Sequence, residues 1–214
     1  MDDDRNVTIF RKLSVQTPLP QAAGRLLFEA TRRAEAMGLI EPDTSAGGPL
    51  DAGAVRHLAA HVRQAGIASG AVAALNNVEP PTGEELASLL RTMIAALDAS
   101  PVPKFEWSGL ARVLDSEQLA SLLSVSLSSL NRYQSGERDT PDPIAARLHF
   151  LALVIGDLSG SYNDVGIRRW FGRKRTALGG RTPAQMLTGD WDPEDAGPER
   201  VRALARELVT MSAT

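Results

Sequence analysis

The chain has 214 residues, of which 43% are hydrophobic, so it can bury one ample core or two small ones. It contains no cysteine, which excludes disulfides, thiolate zinc sites and cysteine nucleophiles. Its formal net charge of -3 argues against indiscriminate nucleic-acid binding, although a local cluster of cations keeps directed binding open.

Composition also bounds the fold class and the location. Aromatic residues make up only 5% of the chain, so the core consists mainly of leucine, alanine and valine, which favours helices over sheet. The acidic start, Met-Asp-Asp-Asp, has the wrong charge for a signal peptide, and the longest strongly apolar run, residues 150–155, is too short to cross a bilayer. We therefore expect an all-α, cytoplasmic protein without a membrane segment.

The first part of the chain predicts an arm followed by amphipathic helices. Residues 1–20 are polar and punctuated by proline, which predicts a flexible N-terminal arm. Apolar residues at helical spacing predict a first helix from Gln21 that ends at Gly38. A second helix begins near Asp51, which is a suitable N-cap.

A third amphipathic helix completes a predicted N-terminal helical domain, residues 21–99. Residues 82–85, Thr-Gly-Glu-Glu, have the pattern of a capping box, and an apolar stripe follows them. This stripe fits either the core of the domain or a face for a dimer or another partner. The proline-containing residues 100–103 then predict a stiff linker and the domain boundary.

A helix-turn-helix pattern lies within residues 105–160. Residues 116–123 and 127–138 predict two short helices, and residues 124–126 form the turn between them. In a helix-turn-helix the second helix lies in the major groove of DNA. The sequence Leu-Ala-x-x-Leu-x-Val-Ser-x-x-Ser-Leu-x-x-Tyr-x-x-Gly resembles the lambda-repressor-like, or Xre, class of this motif.

The second of these helices offers side chains that can read DNA. Asparagine pairs bidentately with adenine, arginine pairs with guanine, and serine hydroxyls reach phosphates. We predict DNA contacts from Ser126, Leu127, Ser128, Asn131, Arg132 and Arg138. Because the helix carries one cation before Arg138, and phosphate contacts normally dominate affinity, a helical scaffold that has lost DNA binding is the alternative.

The positive charge of the chain is concentrated near its end. Between Asp164 and Asp190 there is no acidic residue, but there are six cations: Arg168, Arg169, Arg173, Lys174, Arg175 and Arg181. We call residues 168–181 the basic segment. Such a cluster favours a phosphate backbone or an acidic protein surface as a partner over a merely solvated helix face. Trp170 and Phe171 within it are predicted to lie in the core.

The loop that closes the basic segment has a fixed local geometry. Residues 178–183 read Leu-Gly-Gly-Arg-Thr-Pro, in which glycine reaches backbone angles that a Cβ forbids. Thr182 can accept a hydrogen bond from a free helix N–H, and Pro183 suits the first helical turn. We therefore predict that Gly179, Gly180 and Thr182 join the six cations in a partner-binding site.

Together, the Arg-Trp helix, the Ala-Leu-Gly-Gly-Arg-Thr-Pro loop and the Met-Leu helix after it resemble the C-terminal domain of the Xre/MbcA/ParS-type antitoxins. In that family a helix-turn-helix precedes this domain, and the domain binds a RES-domain toxin, an enzyme that degrades or transfers NAD. The resemblance, over about residues 105–214, implies a dimeric or larger antitoxin that binds operator DNA and captures such a toxin through residues 161–214.

Two departures from the simplest antitoxin keep a second hypothesis open. Many relatives carry Pro-Asn where this chain has Arg173, Lys174 and Arg175, and the first hundred residues have no counterpart in a small antitoxin. The alternative is a DNA-binding or scaffold (adaptor) protein that uses the same domain to recruit a partner other than a toxin.

An enzymatic function finds no support in the sequence. Proton or acyl transfer needs a nucleophile with a base, or paired carboxylates, in one pocket, and no such set follows from the spacing. His57 and His61 are expected on a solvated face and His149 in the core or at its edge. We expect no catalytic residue, no cofactor and no metal site.

Overall fold

A computed structural model describes residues 19–42, 51–77 and 83–211. These residues form eleven α-helices and one short 3-10 helix, with no strand among them, which confirms the predicted all-α fold class. Residues 1–18 of the predicted arm and Thr82 of the predicted capping box lie outside the described ranges. No helix in the described ranges is both long and apolar enough to cross a membrane.

Four helices precede the predicted linker, and seven follow it. The first four are α1 (Gln21–Ala36), α2 (Ala52–Gln64), α3 (Ser69–Asn77) and α4 (Gly83–Asp98). The others are α5 (Pro103–Val113), α6 (Ser116–Leu123), α7 (Leu127–Gln134), α8 (Asp142–Leu158), α9 (Asp164–Phe171), α10 (Pro183–Met186) and α11 (Ala196–Met211). The 3-10 helix, Thr176–Leu178, lies between α9 and α10.

Local sequence signals explain several helix ends. Asp51 caps α2 by accepting hydrogen bonds from the backbone N–H groups of Gly53 and Ala54, as its position predicts. Past the end of α1, Gly38 adopts a positive φ of 71°. Close packing also requires a glycine in α5, since a Cβ at Gly109 would lie 2.4 Å from the carbonyl oxygen of Ala36.

The core is organised around α8. All of its residues from Arg147 to Leu158 are buried, and it packs against α1, α5 and α11. Because α1 also packs against α4, the buried hydrophobic residues on both sides of residues 100–103 form one continuous cluster. The division into two domains remains a prediction, and the two parts share this core.

A group of charged side chains joins the N-terminal helices to the C-terminal ones. Arg33 on α1 contacts Asp98 at the end of α4, with 2.7 Å between Nε and Oδ1, and lies 3.6 Å from Asp157 on α8. From α11, Arg202 and Arg206 also contact Asp98, at 3.1 and 3.2 Å. Four helices therefore meet at one ionic cluster, which is costly to break because Arg33 and Asp157 are buried.

A buried histidine lies beside this cluster. The Nδ1 atom of His149 is 2.6 Å from Oε1 of Glu106, and its Nε2 atom is 3.0 Å from the carbonyl oxygen of Asp98. Burial raises the pKa of Glu106, and its hydrogen bond to His149 opposes that shift. The expectation that His149 is a hydrogen-bonded core residue is met, and the partner carboxylate comes from a helix 43 residues away in sequence.

Candidate functional site

The pair α6 and α7 has the helix-turn-helix arrangement that the spacing predicts. Ser124 ends α6 in the left-handed conformation, at φ 56°, and the hydroxyl of Ser126 accepts a hydrogen bond of 3.1 Å from the N–H of Ser129 at the start of α7. Leu123 of α6 and Leu130 of α7 are fully buried where the helices meet. The turn therefore fixes the angle between two short helices.

The end of α7 is held by aromatic packing. The rings of Trp107 and Tyr133 stack with their centroids 6.1 Å apart, and the indole N–H of Trp107 donates to the hydroxyl of Thr140. Tyr133 also lies under the guanidinium of Arg138, at 5.6 Å. These contacts fix α7 on the body of the molecule and leave its opposite face open.

The open face of α7 carries four of the six residues predicted to contact DNA, and the other two, Ser126 and Arg138, flank the helix. Leu127 is 45% exposed, and Ser126, Ser128, Asn131, Arg132 and Arg138 are exposed as well. Arg132 forms an ion pair with Glu137, with 3.3 Å between Nε and Oε1. The structure thus exposes all six residues on α7 and at its two ends, and one of the two cations is paired with an acid.

The helix-turn-helix has a negative net charge. Residues 115–142 contain five acidic residues (Asp115, Glu117, Glu137, Asp139 and Asp142) but only two basic ones, Arg132 and Arg138. A protein that holds DNA gains most of its affinity from cations that neutralise phosphates. The helix-turn-helix can supply base contacts, but it supplies few such cations.

The basic segment begins on α9, whose fold follows from its sequence. Asn163 caps α9 by accepting a hydrogen bond of 2.9 Å from the N–H of Gly166. Trp170 and Phe171 are fully buried and pack edge to face, with ring centroids 5.3 Å apart, which confirms that they belong to the core. The buried rings hold α9 in place, while the end of the helix carries Arg169 into solvent.

The six predicted cations divide into two groups. Arg168 is half-buried and donates to the carbonyl oxygen of Val113, at 2.8 Å, and Arg175 is half-buried with its guanidinium 5.5 Å from the Trp170 ring. Both therefore support the local fold. The exposed group has no carboxylate partner anywhere in the described residues: Arg169, Arg173, Lys174 and Arg181.

A hydrogen-bonded turn fixes the second half of the segment. The N–H of Arg175 donates to the carbonyl oxygen of Arg181, and the N–H of Gly180 donates back to the carbonyl oxygen of Arg175. Gly179 and Gly180 both have positive φ, 66° and 79°, and both are exposed. From α11, Arg200 donates to the carbonyl oxygen of Ala177, at 2.6 Å. The turn is thus held from two sides.

Thr182 has a structural part in this loop. It forms a capping box with Gln185: its hydroxyl accepts from the N–H of Gln185, while its own N–H donates to the Gln185 side chain. This confirms the predicted cap and the place of Pro183 in the first turn. The helix that they begin, α10, has only four residues.

The basic segment and the residues that follow it are anchored to α6 at two points. At the first residue of the segment, the side chain of Gln118 in the first turn of α6 donates to the carbonyl oxygen of Arg168, at 3.0 Å. After it, the indole of Trp191 donates to the carbonyl oxygen of Leu122 at the other end of α6, also at 3.0 Å. Residues 169–190 therefore form a connection that leaves one end of the first helix-turn-helix helix and returns to the other.

Sequence reasoning missed these anchoring residues. Trp191 lies in the polar stretch 188–197, yet it is only 4% exposed, and Arg147 donates to its carbonyl oxygen. Arg147 also donates to the carbonyl oxygen of Leu123 and contacts Asp190. An isolated tryptophan in a polar stretch was the one available signal, because a large aromatic side chain rarely stays in solvent.

The described residues around the histidines offer no further metal ligands. In the described ranges no group of three or more histidine, cysteine, aspartate or glutamate residues could hold a metal ion. The rings of His57 and His61 lie 4.5 Å apart on α2, and His57 is exposed.

No family model matches the chain, and no curated protein and no solved structure matches it either.

Proposed function

We propose that the protein is a cytoplasmic DNA-binding regulator of the antitoxin type, whose helix-turn-helix binds operator DNA and whose C-terminal region captures a RES-type, NAD-consuming toxin. The resemblance to the Xre/MbcA/ParS-type antitoxins motivates this function. The observation that carries it is the open, polar face of α7, on which Asn131 and Arg132 are exposed at the end of a rigid turn.

The chemistry of that face suits the edges of bases. The amide of Asn131 can donate to and accept from adenine, and the guanidinium of Arg132 can pair with guanine once it leaves Glu137. The methyl groups of Leu127 can contact a thymine methyl. A mostly polar face with one exposed apolar residue is what base reading in the major groove requires.

The test compares the sequence preference of the wild-type protein with that of two double variants, each of which loses one arginine and one amide side chain. Selection from a randomised duplex library with the wild-type protein should return one enriched sequence. The variant Asn131→Ala/Arg132→Ala should lose that preference, by about 1–3 kcal/mol for each base contact removed. A matched control is Arg63→Ala/Gln64→Ala, which removes an exposed arginine and an exposed amide from α2. Equal enrichment by wild type and the α7 variant would rule out base reading by α7.

The proposed capture of a toxin by the C-terminal region has its own test. A tagged chain is used to isolate proteins from the native lysate, and the captured protein is assayed for NAD consumption with and without added chain. An NAD-consuming enzyme that the chain inhibits supports the antitoxin function. A stable partner that leaves NAD untouched supports the alternative, a DNA-binding or scaffold protein that recruits another partner.

A further inference from the structure

The basic segment and the helix-turn-helix are connected by hydrogen bonds, and their net charges have opposite signs. The helix-turn-helix, residues 115–142, has three more acidic than basic residues, whereas the basic segment has six cations and no acid. Gln118 of α6 donates to the carbonyl oxygen of Arg168 in the basic segment, and Trp191, which lies after the segment, donates to the carbonyl oxygen of Leu122 at the other end of α6. The two charge distributions therefore belong to one connected part of the fold.

We infer that the exposed cations of the basic segment, Arg169, Arg173, Lys174 and Arg181, contact the sugar-phosphate backbone of the same duplex that α7 reads. This inference rests on the proposed function for its reader helix, and it adds the source of affinity. The first helix of a helix-turn-helix crosses the DNA backbone, and α6 is the helix to which the segment is fixed.

The position of the anchor supports this assignment. Gln118 lies in the first turn of α6, and its amide holds the carbonyl oxygen of Arg168, the residue that immediately precedes the first exposed cation. Arg168 in turn donates to the carbonyl oxygen of Val113 at the end of α5. The cations that follow are therefore fixed relative to α6.

The composition of the exposed surface distinguishes a phosphate backbone from a protein partner. Every large apolar side chain of the basic segment points inward: Trp170 and Phe171 are fully buried and Leu178 is 1% exposed. The exposed side chains are the four cations, Thr176 and Ala177, beside three exposed glycines. A protein interface has a desolvated core of aromatic or aliphatic anchors, whereas phosphate contacts need cations and backbone N–H groups alone.

The loop also presents its cations from an ordered backbone. The hydrogen bonds between Arg175 and Arg181, and between Gly180 and Arg175, close the turn that follows Arg173 and Lys174. The side chain of Arg200 fixes the 3-10 helix from the other side. Less backbone entropy is lost when such a loop binds than when a free chain does.

The inference makes the salt dependence of DNA binding the decisive measurement. Fluorescence anisotropy with a labelled duplex of mixed sequence gives the binding constant as the salt concentration rises. In a logarithmic plot the slope for the wild-type protein should be about -3 or steeper, since each phosphate contact adds about -0.9. The variant Arg169→Gln/Arg173→Gln/Lys174→Gln should have a slope shallower by about 2 to 3 and bind at least about tenfold more weakly near physiological salt.

A matched control separates the effect of lost phosphate contacts from the effect of a changed net charge. The variant Arg25→Gln/Arg56→Gln/Arg91→Gln removes three exposed arginines from α1, α2 and α4, and so the same charge from the other end of the chain. It should keep the wild-type slope. A wild-type slope in the basic-segment variant would overturn the inference, and so would an equal loss in both variants. Circular dichroism and thermal melting confirm that each variant is folded.

The outcomes separate this inference from the proposed function. Wild-type binding that depends steeply on salt but shows no sequence preference would remove the operator role and leave the phosphate contacts standing. Sequence preference with an unchanged slope in the basic-segment variant would remove the phosphate contacts alone. If that variant bound DNA like the wild type but lost a co-purifying protein, the segment would serve an acidic protein surface, and the inference would be wrong. No DNA binding by the wild type would overturn both.

Discussion

The helix-turn-helix and the basic segment differ in what they expose. On α7 the exposed side chains are those of Leu127, Ser128, Asn131 and Arg132, and its one cation, Arg132, is already paired with Glu137. In the basic segment four cations are exposed, and none of them has a carboxylate partner within the described residues. Base reading requires hydrogen-bond geometry, and binding strength requires charge, so the two properties can be placed in separate parts of the chain.

The two regions also differ in what holds them. The α6–α7 pair depends on a short turn, on the caps at Asp115 and Ser126, on buried aliphatic side chains and on the packing of Tyr133 against Trp107. The basic segment depends on two fully buried aromatic rings and on long-range hydrogen bonds to α6 and α11. Mutations of the buried side chains that support the basic segment should therefore lower the free energy of unfolding more than mutations at the surface of either region. This difference can be measured.

The largest effect on stability is expected from removing a buried aromatic side chain that supports the basic segment. Trp170→Ala should lower the free energy of unfolding by about 3–5 kcal/mol, because the fully buried ring leaves a cavity. Denaturation in urea measures the change. Trp170→Phe should cost far less, since the indole N–H has no hydrogen-bond partner among the described residues.

The control for that substitution is the next residue in the helix. Arg169→Ala removes an exposed side chain from the same turn of α9 and should change the free energy of unfolding by less than about 0.5 kcal/mol. If Trp170→Ala were as mild as Arg169→Ala, the buried rings would not be the support of the segment.

A smaller effect is expected at the turn itself. Gly180→Ala places a Cβ at φ 79° and should cost about 1–2 kcal/mol, because left-handed backbone is strained for alanine. No heavy atom lies within 4 Å of the added Cβ, so strain is the single cause. On the proposed function, DNA affinity should fall as the turn loosens, while the sequence preference that we assign to α7 should not change.

Gly172 provides the comparison for this substitution, since it is exposed in the same segment with φ -91°. Gly172→Ala should be neutral or slightly stabilising, because alanine restricts the unfolded chain and meets only the carbonyl oxygen of Arg169 at 3.8 Å. Equal destabilisation by both substitutions would contradict the role given to the positive φ.

Much of this architecture could be predicted from the sequence because its signals are local. The cap at Ser126, the capping box at Thr182 and the inward position of Trp170 each depend on residues a few positions apart. The same holds for the helical spacing of α6 and α7. Periodicity and capping preferences act over one or two turns, so one sequence suffices to see them.

The rest depends on pairings between distant residues. The basic cluster was predicted as six cations of one partner-binding site. Arg168 turns inward because it donates to a carbonyl oxygen 55 residues away, and Arg175 is half-buried with its guanidinium over the ring of Trp170. The contact of Arg33 with Asp98 joins residues 65 apart. No spacing rule encodes such pairs, since the fold brings them together.

The central claim is that α7 and the basic segment bind one duplex at the same time. Hydrogen exchange measured by mass spectrometry, with and without the duplex obtained by selection, tests it directly, because bound surfaces exchange more slowly. We expect slower exchange in the peptides that contain residues 127–134 and 169–182 together, and no change in α2. Slower exchange in the first peptide alone, or in neither, would contradict the claim.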